Sequence, residues 1–282
     1  MNTILVPTDF SDESMNAAIY AVGFAKQVNA KKIILYHAYT MPVNFSVVSA
    51  EPVLINQELM DIEDLNSSAT VGLAHFEAKL KKLTNTDVAL ETIANYGFFV
   101  EDIKKTEKEK NVDLIIMSIT GGGAFTESII GSNSLVVGKN AAVPVIIVPA
   151  KASFKGLDKL LLVSDFVDIK ESIPTGHIKN ILDKTKSDLN ILHVAKTGDY
   201  TFNPSSEECF VFEDLFEGYS PKFHFTENFV FADGINEFSD NNNMDLVVIV
   251  PKKHHFLESL FTKSHTKELA FHSHFPIMVV HD

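Results

Sequence analysis

Residues able to hold a phosphate gather in one stretch: Gly121 and, ten residues on, Gly131 followed by Ser132, Asn133 and Ser134, which open an apolar helical segment, Leu135-Val136-Val137. Glycines let backbone amides approach an anion closely, a helix start offers unpaired N–H groups and a positive dipole end, and Ser132 and Ser134 add hydroxyl donors. The stretch follows Met117-Ser118 at the end of one apolar run, and Pro7-Thr8-Asp9 closes another. It is not a Walker A loop: six residues separate Gly131 from Gly138-Lys139, and Asn140 stands where that motif has Ser or Thr. No G-x-G-x-x-G dinucleotide fingerprint occurs. A plain tight turn would also use these glycines, helix capping would also use Asp9, and core filling would also use Met117.

The elements that must position these residues come in two copies. Ile4-Leu5-Val6-Pro7-Thr8-Asp9-Phe10 returns as Leu161-Leu162-Val163-Ser164-Asp165-Phe166, and Leu35-Tyr36-His37-Ala38 returns as Ile191-Leu192-His193-Val194, both 156 residues later. Val112-Asp113-Leu114-Ile115-Ile116-Met117 returns as Met244-Asp245-Leu246-Val247-Val248-Ile249, and Val143-Pro144-Val145-Ile146-Ile147-Val148 returns as Phe275-Pro276-Ile277-Met278-Val279-Val280, both 132 residues later. The two offsets differ by 24 residues, so the first half carries a net insertion, placed at 40–70, expected to be either a loop or lid over the strand ends or a surface loop without function. Apolar runs of strand length alternate with helical patterns such as Asn16–Ala25, for which Ser11 or Asp12 is the candidate N-cap; Val88–Ala94 supplies the third strand. Strands that are almost entirely Val, Ile and Leu are buried on both faces, so each half is an α/β unit with a parallel sheet. The boundary falls between 152 and 153, giving units 1–152 and 153–282.

Composition narrows the function further. The net charge is −13, and the 24 basic residues are all lysine, which disfavours nucleic-acid binding because arginine makes the bidentate contacts to guanine and phosphate. No apolar run reaches the roughly 20 residues of a membrane span, no signal-peptide pattern is present, and the single cysteine, Cys209, forms no internal disulfide. A cytoplasmic, soluble protein is expected. His37 and His193 sit in repeated apolar strands and read as core histidines with a hydrogen-bond partner. Residues 252–267 gather Lys252, Lys253, His254, His255, Lys263, His265 and Lys267, which suits a solvated face or a local anion or partner site; no complete metal-ligand set is evident.

The opening strand and its Pro7-Thr8-Asp9 exit, the Leu35–Ala38 strand, and Gly121-x9-Gly131-Ser132 closed by Val143–Val148 resemble the universal stress protein family across both halves. The resemblance implies two tandem, doubly wound, Rossmann-like open sheets related by an internal repeat. It also implies an adenine-nucleotide site for ATP or AMP, with Mg²⁺ as an optional companion. The implied site set is Pro7, Thr8, Asp9, Ala38, Met117, Ser118, Gly121, Gly131, Ser132, Asn133 and Ser134: Asp9 toward adenine or ribose, Ala38 and Met117 flanking the base, and Gly121, Gly131, Ser132 and Ser134 around the phosphates. The family's nucleotide binders carry Gly-x2-Gly-x9-Gly-Ser/Thr, and here Ser118 replaces the first glycine. In the second half Gly121 becomes Lys253 and Gly131 becomes Lys263, so a single site in the first half is expected. Because single-domain members pair through their last strands, the halves are expected to form an internal pseudo-dimer, with homodimerisation open. Three functions remain: a non-catalytic nucleotide-dependent stress regulator, an interaction scaffold without nucleotide, and, last, a weak ATPase.

Overall fold

Alternation of side chains along ten short apolar strands builds the molecule, a computed structural model that describes residues 1–41, 61–119, 132–197, 206–251 and 275–281. In the first half the order is β1 (Thr3–Pro7), α1 (Asp12–Val28), β2 (Lys32–Tyr39), α2 (Ile62–Thr84), β3 (Ala89–Tyr96), α3 (Phe99–Lys110), β4 (Leu114–Ser118), α4 (Ser132–Asn140) and β5 (Val145–Val148). The second half repeats it as β6 (Lys159–Val163), α5 (Ile169–Ser172), α6 (Thr175–Thr185), β7 (Asp188–Lys196), α7 (Ser206–Leu215), β8 (Lys222–Asn228), α8 (Phe231–Asn242), β9 (Leu246–Ile249) and β10 (Ile277–Val279). The third strand is displaced from its expected limits by a residue or two, to Ala89–Tyr96. Of the expected lid region, residues 42–60 lie outside the described residues, as does the segment 252–267.

All ten strands join one sheet in the order β3-β2-β1-β4-β5-β10-β9-β6-β7-β8. Every pairing is parallel except the central one, where Ile277, Met278 and Val279 run antiparallel to Ile147, Ile146 and Val145. The protein is therefore α/β, with two tandem Rossmann-like sheets of the same internal order, 3-2-1-4-5, set edge to edge. One face of the sheet carries Ile4, Val6, Ile33, Leu35, Leu160 and Leu162 into a core with α1, α2, α6 and α7. The other carries Leu5, Ile34, Tyr36, Leu161 and Val163 into a core with α3, α4 and α8. Both cores cross the central seam.

Each half starts its first strand on an aspartate. Asp113 Oδ2 accepts the backbone N–H groups of Asn2 and Thr3 at 2.6 and 3.0 Å, and Asp245 Oδ2 accepts those of Asp158 and Lys159 at 2.9 and 2.8 Å. The connection between halves is fastened along α1. Asn16 Nδ2 donates to the carbonyls of Pro149 and Ala152, and the Gln27 amide both accepts from Leu157 N and donates to Leu157 O. Phe154 fills the gap left by Gly23, meeting Tyr20 edge-on at 5.1 Å.

Candidate functional site

The sheet order reverses between β1 and β4, because β2 and β3 lie on one side of β1 while β4 and β5 lie on the other. Strands that diverge in this way leave a crevice at their carboxyl ends, where open α/β sheets bind ligands. A cavity of about 320 Å³ sits there, lined by Pro7, Thr8, Asp9, Ser14, His37, Ala38, Phe99, Met117, Ser118, Asn133 and Ser134.

The exit of β1 is shaped by its own side chains. Thr8 Oγ1 and Asp9 Oδ1 accept the N–H groups of Phe10 and Ser11 at 2.9 and 3.1 Å, and Phe10 takes a left-handed φ of 67°. Ser11 then caps α1, its Oγ accepting from Ser14 N at 3.1 Å, while its own hydroxyl donates to Asp9. Of the two residues expected as N-cap, the structure selects Ser11. Asp9 acts one step earlier, as the acceptor that folds the turn. Ser14 Oγ donates to the Ser11 carbonyl and lies 2.9 Å from Thr8 Oγ1, so Thr8 is the donor between them. Both hydroxyls are buried, and with their protons committed they have only acceptor capacity left for the cleft they line.

His37 Nδ1 lies 2.7 Å from the Thr8 carbonyl, its ring 4.3 Å from that of Phe10. Facing a carbonyl, Nδ1 carries the hydrogen. The expectation of a hydrogen-bonded strand histidine describes this contact, and the half-buried ring also lines the cleft. Ala38 is half-buried and Met117 nearly wholly buried. Behind Phe99 the Tyr36 side chain is fully buried, and burial, with the Asp102 carboxylate nearby and against the pull of the Asn95 side chain, pushes its hydroxyl well above its ordinary pKa.

On the β4 side, Ser134 Oγ donates to the carbonyls of Ser118 and Ile119 at 2.8 and 3.2 Å. Its proton is used in fastening the start of α4 to the end of β4. Beyond the other end of α4, the buried Glu107 accepts from Ala142 N at 3.2 Å through one carboxylate oxygen, while the other has no hydrogen-bond partner among the described residues. Burial raises its pKa, against the pull of the Ala142 N–H and of Lys104 and Lys108.

Eight of the eleven residues expected from the sequence thus surround one cavity: Pro7, Thr8, Asp9, Ala38, Met117, Ser118, Asn133 and Ser134. Gly121 and Gly131 lie outside the described residues, and Ser132 is described only as the first residue of α4. Sequence reasoning missed three lining residues, Ser14, His37 and Phe99, having read His37 only as a core histidine. Ser14 stands one turn into α1, six residues beyond Thr8 and on the strand-facing side, a helical-phase signal that could have found it; Phe99, at the start of α3, carried none.

The family model described as universal stress protein family matches residues 1–149. The chain belongs to the universal stress protein family. A universal stress protein of Methanocaldococcus jannaschii is 32% identical over 146 residues, which is 51% of this chain and 80% of that one. Universal stress protein YxiE of Bacillus subtilis is 32% identical over 147 residues, 52% of this chain and 98% of that one. The crystal structure of a universal stress protein from Archaeoglobus fulgidus superposes over 99% of this chain and 98% of its own, with a TM-score of 0.71 at 20% identity, a likeness of fold.

Within this universal stress protein, the second half repeats the turn but not the lining. Ser164 and Asp165 accept from Phe166 N and Val167 N, Phe166 again has a left-handed φ, and His193 Nδ1 again lies 3.1 Å from the Ser164 carbonyl. At the positions of Ser14, Ala38, Met117 and Ser118 stand Lys170, Val194, Ile249 and Val250. Among the described residues no helix is long and apolar enough to cross a membrane.

Proposed function

We propose that the first-half cleft binds an adenine nucleotide, ATP or AMP, and that the protein is a non-catalytic, cytoplasmic stress regulator that signals through conformation or assembly. The observation that carries this reading is the cavity at the sheet's reversal point, lined by residues from both strand exits and from the start of α4. Its walls suit the two ends of such a ligand: Met117, Ala38 and Phe99 for a flat base, and the α4 start, with the glycine stretch preceding it in sequence, for phosphate. Non-catalytic action is favoured by the state of the hydroxyls, since Thr8 and Ser14 bond to each other and to the Ser11 carbonyl, not to a base that could activate them.

We divide the chain at 152/153 and take the antiparallel β5–β10 junction as the seam of an internal pseudo-dimer, with only the first half loaded. The reading is tested by isothermal titration of the full chain with ATP and AMP, with and without Mg²⁺, beside Gly131→Lys, which copies Lys263 of the second half. Micromolar binding near one site per chain, lost in the variant, is the expected result. No heat at millimolar nucleotide would overturn the reading and leave the chain as a scaffold.

A further inference from the structure

The cleft that is proposed to hold a nucleotide is poorly furnished with positive charge. The chain carries a net charge of −13 and no arginine, and among the described residues no lysine lines the cavity. Asp9 brings a carboxylate to it, and the lone pairs of Thr8 and Ser14 add acceptors. Among the described lining residues, the side chain able to take up a proton and become a cation is the imidazole of His37.

Its geometry decides where the added proton goes. Nδ1 is committed as a donor to the Thr8 carbonyl at 2.7 Å, and Nε2 has no hydrogen bond among the described residues. A second proton therefore goes to Nε2 without disturbing the tie between β2 and the β1 exit. A cavity of about 320 Å³ is roughly 8–9 Å across if taken as a sphere, about a Debye length at physiological salt, so a charge on its wall acts on an anion anywhere inside. Charged and titratable groups on the surrounding elements include Asp9 in the turn, Asp12 and Glu13 at the start of α1, Glu63, Asp64, His75, Glu77 and Lys79 on α2, Glu91 on β3, and Glu101 and Asp102 at the start of α3. Lys79 pairs with Asp12, and Glu91 with Lys32 and Lys110.

We propose that His37 is a binding residue of this cleft, taking up a proton at Nε2 when an anionic phosphate ligand enters and supplying a cation where the described lining has no other. The proposal rests on the nucleotide reading above and adds to it a proton and a residue. His193 repeats the strand tie but is buried, and its half lacks the matching cleft lining, so it takes no part.

The sign follows from the chemistry. With Nε2 protonated the ring is cationic and phosphate binding is enhanced; when rising pH removes that proton, the enhancement goes with it. The experiment compares binding of AMP and of adenosine by the full chain from pH 5.5 to 8, in wild type and in His37→Asn, whose amide can still donate to the Thr8 carbonyl. The phosphate of AMP titrates too, but equally for both proteins, so the ratio of their affinities isolates the histidine. That ratio is expected to change by roughly tenfold in favour of wild type on going to pH 5.5, with adenosine unaffected. NMR titration of the His37 ring in wild type, with and without AMP, reads the same proton uptake without a variant. Equal pH profiles for the two proteins, or an equal gain for adenosine, would overturn the assignment and leave the nucleotide site standing. Absence of AMP binding at every pH would instead overturn the nucleotide reading itself and this inference with it.

Discussion

Asp113 and Asp245 show how one residue type carries the fold at two repeated positions. Each accepts two backbone N–H groups at the start of its half's first strand, so Asp113→Ala leaves both donors without their partner. A loss of about 1–3 kcal/mol is expected, read from the midpoint of denaturant unfolding, with a like loss for Asp245→Ala. Glu107 works in the opposite sense. Its pKa is raised by burial, so the folded chain holds this proton more tightly than the unfolded one, and stability is lost as pH rises from the ordinary glutamate range through the raised value. Glu107→Gln, which keeps an acceptor for Ala142 N, should therefore gain thermal stability relative to wild type, with the gap wider at pH 8 than at pH 4.5. A constant gap would contradict this account. Repetition in the sequence pointed to Asp113 and Asp245 as a pair, but not to their task, because an acceptor for N–H groups 110 residues away leaves no local spacing.

Helix α1 joins the cleft to the connection between halves. Ser11 caps its start beside Asp9, and Asn16, Tyr20, Gly23 and Gln27 lie along a face that holds residues 149–157. Ser11→Ala should cost about 1 kcal/mol through the lost cap. Gly23→Ala gains at most about 1 kcal/mol of helix propensity, yet its Cβ would lie 2.5 Å from Cδ1 and 2.9 Å from Cβ of Phe154. Overpacking of that kind costs about 1–3 kcal/mol, so net destabilisation is expected in thermal unfolding. At this scale much was legible: nearly continuous Val, Ile and Leu at repeated offsets marked the strands because burial on both faces demands it. The ends of β3 were less so, since this edge strand is mostly half-exposed and its polar residues, Glu91, Thr92 and Asn95, blur the pattern. The fastening of the connection by Asn16 and Gln27 was not legible at all, because amide side chains on a helix announce no partner.

At the scale of the whole chain, the repeat fixes a ten-stranded sheet whose two reversal points are built alike in backbone and differently in lining. The shared turn residues, Thr8 or Ser164, Asp9 or Asp165, and His37 or His193, serve the fold in both halves. The differing ones, Ser14, Ala38, Met117 and Ser118 against Lys170, Val194, Ile249 and Val250, carry the claim that only the first half binds a ligand. Amide hydrogen exchange of the full chain with and without saturating ATP tests that claim most directly. Slower exchange is expected at residues 8–14, 37–39, 117–119 and 132–137, with residues 164–170, 193–195 and 249–251 unchanged. Protection confined to the second half, equal in both halves, or absent everywhere would contradict it.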